Sequence, residues 1–182
     1  MGFIYSKIHN LLFDSNYYKI LMLGLDVSGK TTILNNIKHK ESVRTVYNDG
    51  LYVEILLYMG LMKIVSFDLW KGMRNLYKQY YSNTEGIIFV IDSHDKDRFE
   101  EAIEFFEDNL EEDELKNCPI LIMANKQDLN ESLSKDEITL FLRNEKYNDR
   151  KWHIIKTSGI SGQGLEEGMQ WMASAIREIK EK

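Results

Sequence analysis

The sequence predicts an α/β fold, in which helices cover both faces of a six-stranded, mostly parallel sheet with one antiparallel edge hairpin. Strand-like and helical patterns alternate along the chain, and this alternation is typical of parallel sheets. Several strand-like runs are almost continuously apolar, as in Ile87–Ile91 and Ile120–Met123, which suits strands covered on both faces. Ligands of such sheets bind beyond the carboxyl ends of the strands, so we expect the functional site there.

The composition fits one domain with its own hydrophobic core. The chain has 182 residues, of which 43% are apolar, and a formal net charge of −6. This length favours a single domain, and the acidic balance argues against a nucleic-acid partner. The single cysteine, Cys118, cannot form an internal disulfide and is expected to be buried and structural. No apolar run approaches the roughly 18 residues that a membrane-spanning helix needs.

Each element has a local signal. The predicted strands are Tyr17–Gly24, Tyr52–Tyr58, Met62–Asp68, Gly86–Asp92, Ile120–Asn125 and Trp152–Thr157. The second and third lack a helix between them and bend at Met59-Gly60, which predicts a β-hairpin. Helical spacing of apolar residues recurs from Phe99 to Leu110 and from Leu165 to Ile179. Ser134 and Glu137 predict a capping box at the start of another helix.

A phosphate-binding loop follows the first predicted strand. The run from Gly24 to Thr31 fits G-x-x-x-x-G-K-[ST] and opens a predicted helix, the context expected of a P-loop NTPase. Lys30 is placed to neutralise β- and γ-phosphate oxygens, and the Thr31 hydroxyl is placed to hold Mg²⁺. The predicted nucleotide contacts in this segment are Gly24, Asp26, Val27, Ser28, Gly29, Lys30, Thr31 and Thr32.

A base-binding motif follows the fifth predicted strand. It reads Asn125-Lys126-Gln127-Asp128. The Asp128 carboxylate can accept two hydrogen bonds from guanine, the Lys126 stem can lie along the base, and Asn125 can tie loops together. A second segment, Thr157-Ser158-Gly159, can offer backbone N–H groups to the guanine carbonyl. The two segments indicate a guanine nucleotide rather than any nucleotide.

At these residues the chain resembles the small GTPases of the ADP-ribosylation factor and Arf-like family. The matching stretches are Gly24–Leu34, Tyr80–Ser93, Glu112–Lys116, Ala124–Leu129 and Ser161–Gly168. The resemblance implies a monomeric switch that binds GTP or GDP with Mg²⁺ and acts in vesicle trafficking. It also implies that the hairpin between the two switches slides in register when GTP binds, and so releases an N-terminal helix to the membrane.

The N-terminus has a second pattern. Residues 1–6 fit M-G-x-x-x-[ST], the signal for N-myristoylation of Gly2. Behind it, the apolar residues Ile4, Ile8, Leu11 and Leu12 share one face of a helix. By itself this segment could equally be a docked amphipathic helix, whereas the resemblance favours lipidation. We therefore expect an amphipathic helix over residues 1–16, a GTPase domain over 17–182, and a cytoplasmic protein held peripherally on Golgi-like endomembranes.

The chain departs from the family in its first switch. Asn48 stands where the family has a Thr that holds Mg²⁺, and Tyr47 replaces a Pro. An Asn carbonyl can bind Mg²⁺, but Asp49 beside it adds a negative charge. Locally, Asn48-Asp49-Gly50 also reads as a turn.

The second switch departs further. It reads Asp68-Leu69-Trp70-Lys71-Gly72-Met73, with no Gln to orient an attacking water. Asp68 is expected to hold the water shell of Mg²⁺. The family's Gly that donates its N–H to the γ-phosphate has either become Lys71 or shifted to Gly72, which is the candidate donor. Gln79 lies too far along and is expected in the next helical segment. We assign no catalytic residue and expect weak or partner-dependent hydrolysis.

Two other functions compete with this one. A non-hydrolysing pseudo-GTPase scaffold would bind one constant partner through aromatic residues at Trp70, Tyr77, Tyr80 and Tyr81, although the tyrosines could equally pack in the core. A nucleoside monophosphate kinase would need an Arg-rich lid, and the arginines here are scattered. The sequence indicates neither the effector nor the exchange and activating proteins.

Overall fold

The computed structural model describes residues 17–37, 43–48, 51–67, 78–142 and 149–181, with the backbone alone for residues 43–48 and 51–52. Predictions for residues 1–16, including Gly2, and for residues 68–77 lie outside the described residues. The described strands and helices are β1 (Tyr18–Leu23), α1 (Lys30–Ile37), β2 (Val43–Asn48), β3 (Leu51–Tyr58), β4 (Met62–Phe67), β5 (Gly86–Asp92), α2 (Phe99–Leu110), β6 (Ile120–Asn125), α3 (Lys135–Leu142), β7 (Trp152–Lys156) and α4 (Leu165–Lys180).

The strands form one sheet in the order β2-β3-β4-β1-β5-β6-β7. Strand β1 pairs in parallel with both β4 and β5, and the parallel ladder continues through β6 to β7. The β3–β4 hairpin is antiparallel. The predicted α/β class, with its mostly parallel sheet and antiparallel hairpin, is confirmed.

The predicted number of strands needs a correction, because the described residues form a sheet of seven strands rather than six. The additional strand is β2, which pairs antiparallel with β3 from Val43 opposite Leu56 to Asn48 opposite Leu51. It contains three β-branched residues, Val43, Thr45 and Val46, which suit a pleated strand. Strand β2, rather than the predicted hairpin, therefore forms this edge of the sheet.

A tight turn joins β3 to β4, as the sequence predicts. Met59 and Gly60 have φ values of 51° and 60°, and the Leu61 N–H donates to the Tyr58 carbonyl over 3.1 Å. Positive φ at both central positions is the type I′ geometry that matches the twist of a hairpin.

Helices cover both faces of the sheet. Helices α1 and α4 contribute Leu34 and Met172 to the core on one face, whereas α2 and α3 contribute Phe106 and Ile138 to the core on the other. The capping box before α3 is confirmed: the Ser134 N–H donates to Glu137 Oε2 over 2.8 Å, and the Glu137 N–H donates to Ser134 Oγ over 3.2 Å. The sheet is thus a buried middle layer.

Two tyrosines of the scaffold alternative belong to the core. Tyr80 and Tyr81 are buried, and the Tyr81 hydroxyl donates to Asn109 Oδ1. They are therefore not exposed anchors for a partner, and Trp70 and Tyr77 lie outside the described residues. Gln79 lies in a 3₁₀ turn over Lys78–Tyr80, as expected for a helical segment.

Two lysines are buried side by side at the amino-terminal end of the sheet. Lys19 of β1 pairs with Lys63 of β4, and their exposed fractions are 4% and 1%. Burial and the nearby Lys63 charge lower the pKa of Lys19 from 10.5 to about 8. Lys19 Nζ donates to the Ser82 carbonyl over 2.7 Å. This end of the sheet therefore holds positive charge away from water.

Cys118 is buried, as predicted. Burial raises the pKa of its thiol to about 12, so the thiolate is scarce at neutral pH. None of the helices in the described part of the chain is both long and apolar enough to cross a membrane.

Candidate functional site

The phosphate loop connects β1 to α1 and depends on its glycines. Gly24 and Gly29 have φ values of 147° and 97°, which side chains rarely allow. A Cβ on Gly24 would lie 2.3 Å from the Val90 carbonyl oxygen, and one on Gly29 would lie 2.3 Å from Asn125 Nδ2. The loop therefore packs directly against the carboxyl ends of β5 and β6.

Lys30 lies inside this loop. It is buried, and its Nζ donates to the carbonyl oxygens of Gly24 over 3.1 Å and Leu25 over 2.8 Å. These two hydrogen bonds hold the Lys30 ammonium group within the loop, at the start of α1. A helix start with a buried cation is a suitable place for an anion.

Asn125, the last residue of β6, connects the phosphate loop to the segment after β7. It is 1% exposed. Its Nδ2 donates to the Ser28 carbonyl over 2.9 Å, and its Oδ1 accepts from the Gly159 N–H over 2.9 Å and from Thr157 Oγ1 over 3.4 Å. The prediction that this asparagine ties loops together is confirmed.

The segment over Thr157–Gly159 is held in place by its own backbone N–H groups. Those of Thr157 and Ser158 donate to the carbonyls of Ala124 and Gln163, and that of Gly159 donates to Asn125. These hydrogen bonds hold the turn against β6. Contact of Ser158 and Gly159 with a guanine base stays a prediction.

The family comparison agrees with this geometry. The model of the ADP-ribosylation factor family matches residues 4–176. The chain belongs to this family. It is also similar to a solved structure, the Arl6 (BBS3) small GTPase from Trypanosoma brucei with a bound nucleotide analogue, GppNp. The two are 27% identical with a TM-score of 0.75, and the match covers 89% of this chain and 98% of that chain.

In this Arf-family protein the predicted metal residues are only partly described. The Thr31 hydroxyl, at the start of α1, donates to Glu54 Oε2 of β3 over 2.9 Å. The backbone of Asn48 ends β2, while Asp68 and Gly72 lie outside the described residues. A hydroxyl that donates its hydrogen to a carboxylate keeps its oxygen lone pairs for a cation, so Thr31 suits Mg²⁺, which prefers oxygen ligands.

Three charged residues at the site were missed by the sequence analysis. Asp92 accepts from Lys126 Nζ over 2.6 Å, Arg98 contacts Asp26 over 2.7 Å, and Glu54 contacts Thr31. Asp92 could have been found from its place at the carboxyl end of a predicted strand. Arg98 and Glu54 lie far in sequence from the groups they contact, and only the fold brings them together.

Proposed function

We propose that this Arf-family chain binds GTP and GDP together with Mg²⁺ and acts as a membrane-associated switch in vesicle trafficking, with weak or partner-dependent GTP hydrolysis. The observation that carries the nucleotide part is the buried Asn125, which joins the phosphate loop to the segment after β7. This arrangement holds a phosphate-binding loop and a base-binding motif at one end of the sheet. A molecule that spans both carries a base and phosphates.

Guanine is the proposed base because of Asp128. This residue follows Asn125 by three positions and is exposed, so its carboxylate is accessible to a ligand. A carboxylate accepts from both the N1–H and the exocyclic amine of guanine, whereas adenine cannot offer that pair. Lys126 lies between them with its stem available to cover the base.

Thr31 is the proposed protein ligand of Mg²⁺, with Asn48 as a second candidate and Asp68 for the water shell. When bound, the cation neutralises phosphate oxygens and so supports nucleotide binding. Glu54 orients the Thr31 hydroxyl by accepting its hydrogen over 2.9 Å. The predicted contact of Gly72 with the γ-phosphate belongs to the same proposal.

Weak hydrolysis is proposed because the second switch carries no Gln after Asp68. Gln79 lies in the 3₁₀ turn that ends at the buried Tyr80. It does not occupy the sequence position of the Gln that orients the attacking water in the family. Membrane association is proposed through the amphipathic segment over residues 1–16 with Gly2 as the myristoylation site. The corresponding localisation is cytoplasmic and peripheral on endomembranes.

The first experiment identifies the nucleotide that copurifies with the protein after denaturation and chromatography. We expect a guanine nucleotide, and an adenine nucleotide would contradict the base assignment. Single-turnover hydrolysis of γ-labelled GTP without a partner then tests the switch. A rate equal to that of ordinary family members contradicts weak hydrolysis, whereas tight binding without any cycling favours the pseudo-GTPase scaffold.

The membrane part has a separate test. Full-length protein coexpressed with an N-myristoyltransferase is compared with a Gly2→Ala variant by flotation with anionic vesicles. We expect the wild type loaded with a GTP analogue to float and the variant to stay in the soluble fraction. Equal flotation of both proteins would contradict a lipid at Gly2.

A further inference from the structure

A chain of charged groups leads from the base motif to the turn between β5 and α2. Asp92, the last residue of β5, is at its centre. Its Oδ2 accepts from Lys126 Nζ over 2.6 Å, and its Oδ1 accepts from the N–H groups of His94 over 3.0 Å and Asp95 over 3.3 Å. One carboxylate therefore fixes both the base-motif lysine and the turn.

The same turn reaches the phosphate loop through Arg98. Asp95 Oδ1 accepts from the Arg98 N–H over 3.2 Å, which places this residue at the N-terminus of α2. The Arg98 guanidinium then donates through Nη2 to Asp26 Oδ1 over 2.7 Å and through Nε to Glu101 Oε2 over 2.9 Å. The connection from Lys126 to Asp26 is thus continuous.

Asp26 and Lys126, the two ends of this connection, each have an unfavourable feature that a neighbouring residue offsets. Asp26 is a negative charge within a loop that is proposed to receive phosphates, and its pKa is lowered chiefly by the hydrogen bond from Arg98, so it stays ionised. Lys126 has a φ of 65°, a conformation that residues other than glycine rarely adopt. Arg98 balances the negative charge of Asp26, and Asp92 holds Lys126 in place through their hydrogen bond.

We propose that Asp92 and Arg98 are positioning residues that set the phosphate loop and the base motif in a fixed relation and neutralise Asp26 for phosphate binding. This inference rests on the proposed guanine-nucleotide function. Neither residue needs to touch the nucleotide. Their effect is transmitted through Lys126 and Asp26, so their removal should speed nucleotide release without unfolding the protein.

The test measures release of N-methylanthraniloyl-GDP from full-length protein at fixed Mg²⁺. Arg98→Ala and Asp92→Asn should each raise the dissociation rate about threefold to tenfold, as expected for loss of a charge-assisted contact. The double variant should show less than the product of the two effects, because coupled residues are not additive. The matched control is Arg177→Ala, at an exposed arginine of α4, which should keep the wild-type rate.

A rescue separates charge neutralisation from a structural role. In an Arg98→Ala background, Asp26→Asn removes the uncompensated charge, so the dissociation rate should return towards the wild-type value. A double variant that releases nucleotide as fast as Arg98→Ala, or faster, would overturn the neutralising role. If Arg98→Ala does not fold, Arg98→Lys serves instead, with a smaller increase expected because one of the two side-chain contacts is lost.

The outcomes distinguish this inference from the function on which it rests. If the wild type does not bind the labelled GDP, the proposed function fails and the inference fails with it. If the wild type binds and both single variants release at its rate, or if their effects multiply, the positioning inference alone is wrong.

Discussion

The two ends of the sheet treat buried polar groups in opposite ways. At the carboxyl end, Asn125 is buried among groups that match it, since its amide donates to Ser28 and accepts from Gly159. At the amino end, Lys19 is buried beside another cation, Lys63, while its Nζ donates to the Ser82 carbonyl. Satisfied polar networks stabilise one arrangement, whereas buried like charges oppose the arrangement that contains them.

This difference shows which end is held by satisfied hydrogen bonds and which carries a cost for burying charge. The carboxyl end holds the loops of the site in relation to one another through contacts within the protein. The amino end carries an electrostatic penalty, visible in the lowered pKa of Lys19.

The largest effect is expected for Asn125→Ala. The change leaves the Ser28 carbonyl and the Gly159 N–H without their buried partner, so stability should fall by about 3 kcal/mol. Release of labelled GDP should accelerate at least about tenfold, because the two loops lose their connection. Urea unfolding and stopped-flow release measure the two quantities.

Its matched control is Asn109→Ala. Asn109 is also buried, and among the described residues its hydrogen-bond partners are the Phe105 carbonyl and the Tyr81 hydroxyl, neither of which belongs to the site. We expect a comparable loss of stability with an unchanged release rate. Equal acceleration in both variants would show that general destabilisation explains the result.

A smaller and opposite effect is expected for Lys19→Met. Removal of the buried charge should raise stability by about 1 kcal/mol near pH 7, because relief of desolvation and of the nearby Lys63 charge exceeds loss of the Lys19 contacts, the hydrogen bond to Ser82 among them. The folded pKa of about 8 lies below the ordinary 10.5, so the unfolded chain holds this proton longer. The advantage of the variant should therefore shrink as pH rises from about 8 to 10.5.

Urea unfolding at pH 7, 8.5 and 10 checks this prediction. Lys116→Met provides the control, because Lys116 lies on the surface and pairs with Asp113. A gain that does not change with pH would mean that Lys19 acts through packing rather than charge.

The smallest effect is expected for Glu54→Gln. The amide oxygen can still accept the Thr31 hydrogen bond, but the negative charge next to the proposed cation is lost. Mg²⁺ is expected to slow the release of bound GDP in both proteins. In the variant, the Mg²⁺ concentration that gives half of this effect should be about twofold to fivefold higher. Titration of Mg²⁺ against the release rate measures this, with Glu167→Gln as an exposed control. Tighter Mg²⁺ binding would show instead that Glu54 competes for Thr31.

Local patterns were sufficient for most of the fold. The apolar runs of β5 and β6, the Met59-Gly60 turn and the Ser134–Glu137 cap each carry their own short-range signal, and all are confirmed. Strand β2 was missed because the sequence analysis took Asn48 only as the start of a turn and did not extend a strand before it over Val43–Asn48. Its pairing with β3 is a property of the sheet rather than of those residues.

The site was predictable where one motif holds several residues together. The phosphate loop and Asn125 are examples. The contact between Arg98 and Asp26 joins residues 72 positions apart, and the use of the Gly159 N–H by Asn125 spans 34 positions. No sequence spacing indicates the partners of such charges and donors. Their roles could therefore be identified only from the folded structure.

The neighbouring lysines also bear on how β1 and β4 align. Lys19 lies opposite Lys63 in the present register, with Leu21 opposite Val65 two positions further along. With both side chains charged, repulsion between the two ammonium groups opposes this alignment. Above a pH of about 8, where Lys19 loses its proton, that opposition decreases.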